Sequence, residues 1–223
     1  MLIPLKDLNP RRRFPVVNVL LIAANIAVFV YQAGLPARAQ NAFVLSNSTI
    51  PARIPSFFAG HLPFAVAFVP LLTSMFLHSG ILHIAGNMLF LWIFGDNIED
   101  YFGHARYLLF YLACGVGAGL LHILFNLHSR TPALGASGAI SGVMGAYLIL
   151  FPRSRVLTLV FIFLIPLPAI LVLGYWFVIQ FLEGIGSLGM TATGGVAWWA
   201  HIGGFLLGML FASASERRQL QSA

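Results

Sequence analysis

Two serines four residues apart lie among glycines in Gly135-Ala136-Ser137-Gly138-Ala139-Ile140-Ser141-Gly142, which leads straight into an apolar run. A serine hydroxyl is a weak nucleophile until a base takes its proton, and an imidazole is suited to that near neutral pH. His201, in Ala200-His201-Ile202-Gly203-Gly204, is the candidate base. His83 and Asn87 are one helical turn apart and, with the backbone N–H of Ser137 near a helix start, supply candidate donors to an oxyanion. The six acids (Asp7, Asp96, Glu99, Asp100, Glu183 and Glu216) all fall at the ends of apolar runs or in tails. None is placed to be the third member of a triad, so the chemistry reads as a Ser–His dyad. A Gly-x-Ser-x-Gly elbow does not fit, because Ala139 stands where the second glycine belongs and the strands of such an elbow are not expected.

The elements that position these groups follow from composition. Of 223 residues, 59% are hydrophobic and only 8% charged, with mean hydropathy +0.90. Soluble domains carry about 25% charged residues. The expected class is all-α: one polytopic membrane helical bundle with six transmembrane helices. The expected spans are 14–31, 82–96, 107–126, 137–151, 156–181 and 196–212, each apolar at or near the length a bilayer requires. Residues 1–13 form a cytoplasmic tail, 14–212 the membrane domain with a long outer loop over about 32–81, and 213–223 a second cytoplasmic tail. The apolar segment 62–77 is interrupted by Pro63 and Pro70, and is read as part of that loop. The start, Arg11–Arg13 before an apolar run, is read as a first span and not as a cleaved leader.

Charge supports this topology. With both termini inside, nine basic residues lie on the inner face and only Arg38, Arg53 and Arg130 on the outer one. The net charge of +6 is therefore a topology signal, and nucleic acid is not an expected partner. The single cysteine, Cys114, lies in an apolar run and reads as a packing residue.

Polar groups inside spans are costly and ask for a reason. Ser137 precedes Arg153 by sixteen residues, His201 precedes Glu216 by fifteen, and His83 precedes Glu99 by sixteen. At 1.5 Å per residue these depths are about 22–24 Å, one common layer in a core of about 30 Å. Glycines say which spans touch: Gly138, Gly142 and Gly145 on the fourth, and Gly203, Gly204 and Gly208 on the sixth. If those faces meet, Ser137 and His201 come within hydrogen-bond reach. Ser141, one turn deeper, is read as a packing residue bonded back to the Ser137 carbonyl.

Taken together, "NPRRRFP", "FLHSGILHIAGNM", "GDNIED", "GASGAISG" and "AHIGGFLLG" resemble the rhomboid intramembrane serine proteases of the bacterial six-span kind. The resemblance implies Ser137 as nucleophile, His201 as its base, His83 and Asn87 as oxyanion donors, and a structural role for His78 in the loop. It implies an activity without metal or cofactor, on transmembrane protein substrates in the lipid bilayer. The implied location is a bacterial inner membrane, with the site open to the outer side. It also makes Trp176 and Phe177 candidates for a side entrance. Two departures stand out. Ser141 occupies the place where some relatives stack an aromatic ring on the base, so His201 needs another support. The first outer loop also lacks the tryptophan of a Trp-Arg pair that some relatives carry.

Overall fold

A computed structural model describes residues 2–187 and 196–221; Met1 and the last two residues of the expected C-terminal tail lie outside the described residues. In chain order the elements are β1 (Leu2–Asp7), α1 (Val16–Gly34), α2 (Ala37–Asn47), α3 (Arg53–Phe58), α4 (Phe64–Phe68) and α5 (Pro70–Thr73). A 3-10 turn (Ser74–Phe76) then leads into α6 (Ile81–Phe102), α7 (His104–Phe125) and α8 (Ser137–Leu150). They are followed by β2 (Arg155–Val160), β3 (Phe163–Pro168), α9 (Ala169–Gly186) and α10 (Trp198–Gln221). Four of these helices, α1, α6, α7 and α9, are long and apolar enough to cross a membrane. Helix α8 is apolar but has only 14 residues, and α10 runs 24 residues from Trp198 past Glu216 and Arg217.

The chain is not all-α. Strands β1, β2 and β3 form an antiparallel sheet in that order, with Leu2 opposite Val160 and Arg155 opposite Pro168. The segment expected to begin a fifth span at Val156 is a hairpin, and the helix starts only at Ala169. The reason is local: Pro166 and Pro168 cannot continue a helix, whereas the β-branched and aromatic residues before them suit a pleated strand. The segment expected as a plain N-terminal tail contributes the third strand. Residues 62–77 form short broken helices, as Pro63 and Pro70 dictate.

Helix α1 is fixed at its start by an acid from another helix. The Glu99 carboxylate, buried near the end of α6, accepts the backbone N–H of Val17 at 2.9 Å and of Asn18 at 2.7 Å, and also pairs with His104. Those N–H groups have no acceptor within their own helix, so the carboxylate acts as a cap from a distance. Arg11 pairs with Asp96 at 3.1 Å and the Arg12 backbone N–H donates to Asp100 at 2.9 Å, tying the basic N-terminal segment to the same helix end. The outer loop is tied down as well: Thr49 and Ala133 exchange backbone hydrogen bonds, and Ser74 bonds both the Thr49 hydroxyl and the Gly135 N–H. The loop therefore holds the strand-like approach to Ser137.

The core lies where α6, α7, α8 and α10 meet, around Leu91, Phe94, Tyr107, Tyr111, Cys114, Tyr147 and Phe205.

Candidate active site

Glycine decides how closely α8 and α10 approach. A Cβ built on Gly204 would lie 1.9 Å from the Gly138 carbonyl oxygen, and one on Gly208 would lie 1.9 Å from that of Gly142. On the other helix, a Cβ on Gly145 would lie 2.0 Å from the Phe205 carbonyl oxygen. Backbone thus packs directly on backbone, as small residues four apart permit. The two helices are locked with Ser137 at the head of one and His201 one turn into the other.

That contact brings the Ser137 hydroxyl to 2.8 Å from His201 Nε2. The opposite ring nitrogen, Nδ1, lies 2.5 Å from the side-chain oxygen of Gln180 on α9. With the amide oxygen as acceptor, Nδ1 carries the proton, and Nε2 is left with the lone pair that accepts from the serine O–H. Trp176, one turn before Gln180, lies with its ring 5.8 Å from the imidazole at 35°, and Trp198 meets it edge-on at 6.2 Å. The support missing at Ser141 is therefore supplied from α9 and from the start of α10. Ser141 itself donates to the Ser137 carbonyl at 2.6 Å.

Ser137 is the first residue of α8, so its N–H belongs to the turn that lacks intrahelical acceptors. Opposite it stands the first part of α6. Asn87 spends one amide hydrogen on the His83 carbonyl at 2.8 Å, and His83 Nδ1 lies 3.0 Å from the Ser79 hydroxyl. Gly135 keeps the space between these groups open. It has φ +124°, a region that side chains avoid, and a Cβ there would sit 2.9 Å from His83 Nε2 and 3.7 Å from the Ser137 hydroxyl. His78 packs edge-on against His83 with ring centroids 5.1 Å apart, and its carbonyl accepts from Gln32 at 2.8 Å. Burial pushes the His78 imidazole down to about 4, with the His83 ring adding to the effect.

Ser137, His201, His83, Asn87, Ser141 and Trp176 line one cavity of about 800 Å³. Phe177 does not: it stacks on Phe205 at 4.7 Å, beside Trp176 on the same helix. The sequence reading assigns no role to Gln180 and reads Trp198 as an interface or packing residue. Gln180 carried a readable signal, a lone amide inside an apolar run, of the kind that already marked Asn87. Such an arrangement can activate a hydroxyl and present donors to an oxyanion.

A rhomboid domain model matches residues 66–217. Rhomboid protein 1, mitochondrial, of Saccharomyces cerevisiae is 30% identical over 172 residues, which is 70% of this chain and 46% of the yeast protein. RHOMBOID-like protein 6, mitochondrial, of Arabidopsis thaliana is 39% identical over 138 residues, 62% of this chain and 40% of the relative. Rhomboid protease GluP of Bacillus subtilis is 36% identical over 146 residues, 65% of this chain and 25% of the relative. The chain spans about half or less of the length of these relatives.

Proposed function

Because the chain belongs to the rhomboid family of integral membrane proteins, we propose that it is an intramembrane serine endopeptidase. It cleaves membrane-anchored proteins within or near their transmembrane segments. The observation that carries the proposal is the 2.8 Å contact between the Ser137 hydroxyl and His201 Nε2 on the wall of an open cavity.

The geometry supports the following steps. A substrate span enters beside α9, where Trp176 lines the cavity and Phe177 packs behind it. It unwinds there, since a helix hides its carbonyls in its own hydrogen bonds. Ser137 Oγ attacks the exposed carbonyl carbon while its proton passes to His201 Nε2. The oxyanion is met by the Ser137 N–H, the remaining Asn87 N–H and His83. The imidazolium is held by Gln180 through Nδ1–H and returns its proton to the leaving amine. Water then hydrolyses the acyl-enzyme by the same route. Gln180 is a positioning residue here: a neutral amide fixes the tautomer in a layer where a carboxylate would be costly to desolvate.

Six helices cross the membrane in this reading, α8 being short because its head opens on the cavity. Both termini lie on the basic, cytoplasmic side and the site opens to the other. The membrane is a bacterial inner one by the sequence resemblance; the names of the relatives include mitochondrial as well as bacterial proteins.

The test is cleavage of a single-span substrate co-reconstituted in vesicles, with the new termini located by mass spectrometry. Wild type should yield termini at or near the substrate's transmembrane segment and Ser137→Ala none. Equal cleavage by the two would overturn the proposal.

A further inference from the structure

The β2–β3 hairpin ends in an apolar tip that nothing among the described residues covers. Phe161 and Ile162 are each 81% exposed, Phe163 64% and Leu164 58%. In register, Val160 faces Phe163, so Phe161 and Ile162 alone make the turn. Turns of this length favour Asn and Gly, because the backbone must enter the left-handed region. Here Phe161 takes φ +55°, a conformation that costs a bulky residue free energy. A turn facing water gains nothing from that choice; a turn seated in an apolar medium gains the burial of both side chains.

The sheet is polar at its base and apolar at its end. Lys6, Asp7 and Arg155 lie toward the base, whereas Leu2, Leu159 and Val160 with 161–165 carry no ionisable group. The base of the hairpin joins the membrane-facing surface, because β3 leads at Pro168, opposite Arg155, into α9, where Ile170 and Leu171 are about half exposed; the apolar tip lies one strand length away. Exposed Lys6, Arg153 and Arg155 flank the base and outnumber Asp7 there, a charge balance suited to anionic headgroups. A second protein strand is a poorer occupant. The outer strand β3 carries Pro166 and Pro168, and the outer strand β1 carries Pro4, residues that cannot donate to an added strand. Those same open edges would be costly in the hydrocarbon centre, so the seat is shallow.

We propose that the β2–β3 tip, Phe161–Ile165, inserts into the headgroup–acyl boundary of the leaflet on the basic side and anchors the entry of α9. A strand of six residues reaches about 20 Å, enough to lie across that boundary from the helix end. The proposal goes beyond the proteolytic reading and stands without it.

The test uses the full chain with Ile162→Cys, labelled with bimane and reconstituted in phosphatidylcholine–phosphatidylglycerol vesicles. Cys114 is buried, so label goes to the introduced thiol. Spin-labelled lipid with the nitroxide near the headgroup should quench the probe several-fold more than aqueous iodide does. A label at Arg13→Cys, an exposed position on the same side, should show the reverse order. Leu164→Cys serves as a second position and should follow Ile162→Cys. Iodide quenching at 162 and 164 equal to that at 13 would overturn the proposal. So would cross-linking of two copies through 162 at high dilution in lipid, since the tip would then be covered by a second copy.

Discussion

Two sets of buried polar groups, at opposite ends of the helices, are handled in contrasting ways. At the basic end, Glu99 is ringed by fixed partners: two backbone N–H groups of α1 and the ring of His104. At the other end, Ser137 and His201 bond each other at the wall of an 800 Å³ cavity, with the Gln180 amide and the rings of Trp176 and Trp198 behind the imidazole. Fixed donors consume a carboxylate's capacity and leave it nothing to react with. A hydroxyl on a cavity wall keeps its lone pairs facing open space. In a membrane protein the cost of burying a polar group is the same at both ends, so cost alone does not mark function. The direction in which the unused capacity points does.

The comparison breaks first at the dyad. Ser137→Ala or His201→Ala should lower the rate of peptide cleavage by about three orders of magnitude or more, read as kcat/KM in vesicles, with thermal unfolding unchanged. Next comes the α8–α10 contact that serves the cavity end. Gly204→Val forces side-chain atoms into the Gly138 carbonyl, and the variant should lose about 3 kcal/mol or fail to hold the two helices together. Unfolding in detergent micelles reads this directly.

At the basic end the expected effect is on stability alone. Glu99→Gln keeps the shape but weakens the cap on α1, costing about 2 kcal/mol with kcat little changed in the folded fraction. Gln180→Leu should do the opposite, lowering kcat about tenfold with KM and unfolding nearly unchanged, because it releases the imidazole without emptying the core. Gln180→Glu keeps an acceptor at the same reach and should recover part of the loss.

The smallest effect concerns His78, in the outer loop at the cavity end, beside His83. Its ring has a pKa near 6.5 when unfolded and about 4 when folded. A lowered value means the neutral ring is the native form, so its contribution is complete above about pH 6.5 and is lost as pH falls toward 4. The unfolding midpoint should fall by roughly 2–4 °C per kcal/mol lost over that window, and His78→Gln should flatten the dependence.

Much of the cavity end was legible in the sequence. Ser137, His201 and His83 are polar groups at one depth in apolar runs, Asn87 lies one turn below His83, and the glycines on two runs name the helices that meet. Gln180 is equally visible as a lone amide, but hydropathy shows 156–181 as one apolar run whose helix begins only at Ala169, so the depth of Gln180 cannot be counted from an end. Hydropathy does not separate strand from helix, although Pro166 and Pro168 argued against a helix there. Strand β1 was not legible at all, because its partner β2 lies about 150 residues away and neither strand alternates cleanly. The cap by Glu99 was hidden for the same reason: an acid at one helix end says nothing of which N–H groups come to it.

The measurement that bears most directly on the dyad is covalent labelling with a fluorophosphonate serine probe in vesicles, with the modified residue located by mass spectrometry. Wild type should be modified at Ser137, and His201→Ala should lose the modification while retaining the fold. Labelling of Ser137 at an undiminished rate in His201→Ala, or no labelling of the wild type under conditions where the fold persists, would contradict the account.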